Sequence, residues 1–219
     1  LANFAAVAVE RLRNAQIAEL ERQVRARLER YHSPSVLESI VSSDPAAVRA
    51  ARRIVLPGVG AFRPPRERLE GELEGALRDA LAEGAHLLGI CVGYQLLFEG
   101  SDEFGATAGL GLLRGRVTEL PREIARPHIG WNRLEVRMPH ALLDGIDPDA
   151  YVYFVHSFAP EGAASEETAA TALHGRRFAA VSASGQVCGT QFHPEKSGEA
   201  GLRLLRNFLT LVEAEAPCN

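Results

Sequence analysis

Cysteine is scarce in this chain, with Cys91, Cys188 and Cys218 alone among 219 residues. Three such scattered thiols cannot build a disulfide framework. Excess positive charge is also missing: the formal net charge is −4, and no concentrated basic patch calls for nucleic acid. No apolar run approaches the length of a membrane span, and no signal-peptide pattern is visible. Repeats, low-complexity tracts and interdomain linkers are absent too. His128 and His156 are metal ligands by type but lack the paired spacing of zinc sites. These absences leave an expectation of a cytoplasmic protein of one domain, without metal or cofactor.

What is present is 46% hydrophobic and 24% charged, the balance of an ordinary globular domain. Residues 5–31 read as a helix with Ile17, Leu20, Val24 and Leu28 on one stripe and a solvated Arg/Glu face. A weak strand is expected over 36–41 and a helix start at Ser43-Asp44-Pro45. Arg53 to Leu56 reads as a strand, Pro65 to Glu83 as a helix, and the stretch around Leu87 as a buried strand. This strand–helix alternation implies a parallel sheet covered on both faces. Further on, strands are expected over 133–136 and 151–157. Phe178–Val181 and Val187–Phe192 read as an antiparallel pair about Ser184-Gly185. A last helix, 198–214, points Leu202, Leu205, Phe208 and Leu209 inward.

Three stretches carry chemistry. In Gly89-Ile90-Cys91-Val92-Gly93-Tyr94-Gln95 a cysteine sits between a strand and a helix, flanked by glycines, in the manner of a nucleophile elbow. A helix mouth favours thiolate, the nucleophilic form; alone, the motif also suits an inert buried cysteine. In Gln191-Phe192-His193-Pro194-Glu195-Lys196-Ser197 a histidine ends a strand. In extended backbone Glu195 would point the same way and fix the imidazole tautomer. Pro57-Gly58-Val59-Gly60 ends the neighbouring strand. With the Val92 N–H, the backbone of Gly58, Val59 and Gly60 is the candidate oxyanion site. Cys188, on a strand, reads as core.

Together, and in this order, these stretches resemble the class I (triad) glutamine amidotransferases over roughly 53–212. The resemblance implies one flavodoxin-like α/β domain over 1–219. Its central sheet is mostly parallel, with helices on both faces and an antiparallel extension. It also implies hydrolysis of L-glutamine through a Cys91 thioester, with His193 as base then acid and Glu195 orienting it. Gln95, Glu103 and the Ser157-Phe158 backbone would hold the substrate. Within the family, Pro127-His128-Ile129-Gly130-Trp131-Asn132, Tyr153-Phe154-Val155-His156-Ser157 and Lys196-Ser197 look like the glutaminase subunits of imidazole glycerol phosphate synthases. Trp131, Asn132 and Lys196 would then lie near the docking face for a (βα)8-barrel cyclase, the partner that receives ammonia in histidine biosynthesis. From the residues alone, Trp131 could equally be core and Lys196 a solvated charge.

Two departures stand out. Residues 1–50 lack the opening strand and the D-Y-G-x-G-N turn of the family. Either the region is truncated and altered, or an unusual element replaces those strands; residues 51–212 are family-like. Tyr94 stands where the family has methionine and is expected to narrow the site. The alternatives to be weighed are another amidotransferase branch, a stand-alone γ-glutamyl peptidase, and a non-catalytic binding subunit.

Overall fold

The computed structural model describes residues 44–161 and 165–214. The expected helix over 5–31, the strand over 36–41, the first forty-three residues of the atypical N-terminal region and Cys218 lie outside these. The first described element is helix α1, Pro45–Ala50. The Asp44 carboxylate caps it by accepting the Ala46 N–H, and proline occupies the first turn, where a missing N–H costs nothing.

Strand β1, Arg53–Gly58, follows, then α2, Arg63–Leu69, and α3, Glu72–Ala82. The single helix expected over 65–83 is therefore two. Gly71, at φ 83°, breaks it, because that backbone conformation cannot continue a right-handed helix. Next come β2, His86–Cys91, and the four-residue helix α4, Val92–Gln95. The chain then lays down β3, Gly100–Ser101, β4, Thr107–Ala108, β5, Arg116–Glu119, β6, His128–Arg133, and β7, Glu135–Val136. The strand expected over 133–136 is thus divided: β6 starts five residues early and takes in His128 to Asn132, while Glu135 and Val136 form β7 in another sheet. Strands β8, Tyr151–His156, β9, Phe158–Pro160, β10, Thr168–His174, β11, Arg176–Ser184, and β12, Val187–Thr190, precede the final helix α5, Gly198–Ala214.

The main sheet has the order β1-β2-β12-β11-β10-β7. The β1–β2 and β2–β12 neighbours run parallel, and the other three pairs run antiparallel as the extension. Strand β2 is buried at every position, as a central parallel strand covered on both faces must be. Alternation sorts its neighbours: Ile54, Leu87 and Val187 join a core with α1 and α3. Val55, Leu88 and Cys188 join a second core with α5 and β8. In α5 it is Leu204, with Leu205, Phe208 and Leu209, that is buried, while Leu202 is only half-buried. Two smaller sheets, β4-β3-β5-β9 and β6-β8, complete the architecture, and Val155 to Phe158, where β8 passes into β9, line a cavity together with Cys91 at the end of β2.

Tyr94 does not narrow the site. Its ring is fully buried in the α1/α3 core, packed edge-on to Phe98, with its hydroxyl 2.6 Å from Ser182 Oγ. Burial pushes that phenol far above its ordinary pKa. Room for the ring exists because position 189 is glycine: a Cβ there would collide with the ring itself. Tyr94→Phe strands the Ser182 hydroxyl and should lower the unfolding free energy by about 1–2 kcal/mol. Urea denaturation measures this, and an unchanged midpoint would show that the contact is not stabilising.

Candidate active site

Registry brings the motifs together. Gly58 lies opposite Cys91 across β1–β2, and Gly89 opposite Gly189 across β2–β12. The residues that follow each strand therefore emerge side by side at the carboxyl edge, where open α/β sheets place their ligands. Cys91 ends β2 at φ 54°, ψ −110°. A non-glycine residue held there stores about 1–3 kcal/mol of strain. The turn is enforced by contact: a Cβ on Gly93 would overlap the Leu56 carbonyl, and one on Gly89 would come within 2.6 Å of the Tyr94 Cα. Gly58 acts in the same way. Its Cβ would meet the Gly93 nitrogen at 2.6 Å. Val59, Gly60 and Val92 line the cavity at this edge, and Gly58 packs behind them.

The cavity at this edge has a volume of about 480 Å³ and is lined by Cys91, Gln95, Glu103, His156, Ser157, Phe158, His193 and Lys196 as well. His193 and Glu195 are buried side chains joined by a 2.7 Å Nδ1···Oε1 contact. They do not sit on extended backbone: β12 ends at Thr190, and Pro194–Lys196 is a turn of 3₁₀-helix. The turn, not strand alternation, brings them together. It is pinned by the His193 N–H donating to the Tyr153 carbonyl at 3.0 Å. The Ser197 hydroxyl donates to the His193 carbonyl at 2.6 Å and accepts the Tyr153 N–H at 3.0 Å.

Burial alone would lower the His193 pKa. The charge of Cys91, a hydrogen bond to its sulfur, and Glu195 outweigh it and raise the value to about 10. Among the described residues Nε2 is buried and meets no hydrogen-bond partner besides that sulfur. An imidazole oriented by a carboxylate and facing a cysteine sulfur is an arrangement able to activate a nucleophile and to return a proton. Cys188, by contrast, is raised to about 12 by burial and donates to the Leu87 carbonyl. It is core.

The other candidates divide. Gln95 lines the cavity and donates to the Phe158 carbonyl at 2.9 Å. Glu103 lines it too and accepts the Phe62 N–H at 2.7 Å. Trp131 is 56% exposed, not core, and packs edge-on to Tyr153. Lys196 Nζ lies 5.8 Å from the Tyr153 ring centre, at the cavity rim. Asn132 turns inward instead, toward His128 and the Leu173 carbonyl. The ring nitrogens of His128 and His156 bond to one another and to neighbours. Among the described residues no group of three or more His, Cys, Asp or Glu could hold a metal. Two contributors escaped the sequence reading, Ser197 and Gln191. Both lie inside the quoted Gln191 to Ser197 motif, but only the tertiary contacts reveal their partners.

The family model described as glutamine amidotransferase class-I matches residues 13–212. The chain is 44% identical over 182 residues to the imidazole glycerol phosphate synthase subunit HisH of Salinibacter ruber, covering 80% of this chain and 84% of that one. It is 46% identical over 176 residues to the subunit of the same name from Symbiobacterium thermophilum, covering 80% and 83%. Among solved structures, one described as a glutamine amidotransferase superposes with a TM-score of 0.67 at 21% identity, covering 88% of this chain and 93% of that one; this is a likeness of fold.

Because the folded His193 pKa lies above the ordinary 6.5, its charge contributes stability that is fully present below pH 6.5. That contribution is lost as the pH rises through about 10. Nitrogen NMR of His193 should show titration near pH 10, moving down in Cys91→Ala. Titration of the unmodified protein at an ordinary imidazole pH would remove the ion pair.

Proposed function

The chain belongs to the class-I glutamine amidotransferase family, and from that membership we propose that it is the glutaminase subunit of an imidazole glycerol phosphate synthase. The observation that carries the reading is Cys91 on its strained turn beside the buried His193–Glu195 pair. The Cys91 sulfur attacks the side-chain amide carbon of L-glutamine, forming the S–C bond. The Val92 N–H, with those of Val59 and Gly60, faces the developing oxyanion. His193 passes its Nε2 proton to the leaving nitrogen as the C–N bond breaks, releasing ammonia and leaving a thioester. A water, deprotonated by the same nitrogen, then cleaves the thioester to glutamate. Glu103 and the Ser157-Phe158 backbone hold the substrate with Gln95.

The ammonia goes to a partner, a (βα)8-barrel cyclase subunit of histidine biosynthesis. The relatives are named as synthase subunits, which supports a partner subunit. So does the outer face of β6–β8. There Ile129 (60%), Trp131 (56%) and Tyr151 (59%) are exposed together, an apolar patch of the kind that marks interaction sites. Lys196 stands at the junction of this face and the cavity. No helix of the described residues is long and apolar enough to cross a membrane.

Glutamate release from glutamine, measured with and without the liganded barrel subunit, tests the reading; a rise with the partner is expected. Cys91→Ala should reduce release at least about 10³-fold while leaving partner binding intact, and substantial remaining turnover would remove Cys91 as nucleophile. Trp131→Ala should weaken partner association by about tenfold or more. Unchanged affinity in a pull-down titration would move the docking face elsewhere.

A further inference from the structure

A second string of polar groups starts at the same sulfur and runs to the inner face of β6. Gln191 is fully buried, and its Nε2 lies 3.9 Å from Cys91 Sγ. Its Oε1 accepts from Gln95 Nε2 at 3.0 Å, and Gln95 Nε2 also donates to the Phe158 carbonyl at 2.9 Å. That carbonyl receives a second bond, from His156 Nδ1 at 2.9 Å. His156 Nε2 is 3.2 Å from His128 Nδ1, and His128 Nε2 is 3.2 Å from Asn132 Nδ2.

Donor and acceptor chemistry sets every proton in this string. A carbonyl only accepts, so His156 Nδ1 carries hydrogen; an amide nitrogen only donates, so His128 Nε2 is bare. A single hydrogen then lies between the two rings, on His128 Nδ1, and both imidazoles are neutral. Burial, with like charges nearby, lowers His156 to about 3 and His128 to about 4, in keeping with that state.

The consequence falls on Gln95. Both of its N–H groups are consumed, by Phe158 and by Gln191. Its Oε1, reached by no protein donor among the described residues, is the polar atom left for the cavity it lines. Turning the carboxamide over would set its oxygen against two acceptors and leave buried groups unpaired. We propose that Gln191 and His156 are positioning residues that hold the Gln95 carboxamide with its oxygen toward the cavity, Gln191 carrying the same constraint to the Cys91 sulfur. The cavity thereby presents a fixed acceptor for an N–H group of the substrate. The identity of that substrate rests on the glutaminase reading.

The test uses the full chain with its barrel subunit. It combines glutamine kinetics with carbamidomethylation of Cys91 by iodoacetamide, followed across pH on the Cys91 peptide by mass spectrometry. His156→Phe keeps a ring against Phe178, which the imidazole now meets at 5.0 Å, but lacks both hydrogen bonds. It should raise KM for glutamine about five- to tenfold with little change in kcat, and leave the alkylation profile unmoved. Gln191→Met should raise KM similarly and also displace the alkylation profile, because the group facing the sulfur is gone. His128→Phe breaks the string away from the cavity and should raise KM in the same direction. An unchanged KM in all three variants would overturn the proposal. So would an alkylation profile displaced as far in His156→Phe as in Gln191→Met, the mark of general loosening. If the unmodified complex releases no glutamate, the glutaminase reading falls instead, while the alkylation comparison still decides whether Gln191 acts on the sulfur.

Discussion

The site depends on backbones meeting more closely than side chains allow. The end of β1 lies against the elbow so tightly that Gly93 faces the Leu56 carbonyl and Gly58 faces the Gly93 nitrogen. This contact holds Cys91 in a conformation that an isolated chain would abandon, at about 1–3 kcal/mol. A residue so placed persists only when the surroundings over-determine it. Here they do, through parallel ladders on both sides of β2 and two apolar cores that bury its every residue. Strand β12 completes the arrangement. Inserted beside β2 in register, it delivers a segment a hundred residues distant in sequence to the same edge.

The second constraint is electrostatic. Two imidazoles and a carboxylate share one poorly solvated corner, and they cannot all be charged. His193 keeps its proton because Cys91 and Glu195 flank it; His156 loses its own because it is buried with His128, His174 and the His193 charge nearby. Environment, not residue type, assigns the roles. The charged histidine is the one that can transfer a proton. The neutral ones act as hydrogen-bonding struts whose tautomers are fixed by a carbonyl at one end and an amide at the other. The same region thus separates chemistry from positioning without a wall between them.

The β6–β8 ribbon joins this interior to the outside. Its alternation sends His128, Asn132, Phe154 and His156 inward, and Ile129, Trp131, Tyr151 and Tyr153 to the opposite face. One face carries the hydrogen-bonded histidines, while the other leaves Ile129, Trp131 and Tyr151 exposed.

Much was legible in the residues. The glycine spacing about Cys91, the order of the three motifs and the inward stripe of α5 all reflect local rules, because turns, periodicity and close approach leave marks on nearby positions. The errors were of another kind. Glu195 meets His193 by a 3₁₀ turn rather than by strand alternation, and Tyr94 turns away into the core. The roles of Ser197 and Gln191 were invisible even though both were quoted. In each case the deciding partner lies far along the chain: Tyr153 for Ser197, Cys91 and Gln95 for Gln191, Ser182 and Gly189 for Tyr94. The sequence by itself determined which groups are present and what each can donate, accept or bend. Which of them touch was decided by tertiary structure alone, because hydrogen bonds and steric contacts act over a few ångströms of space, and only folding brings distant residues within that reach.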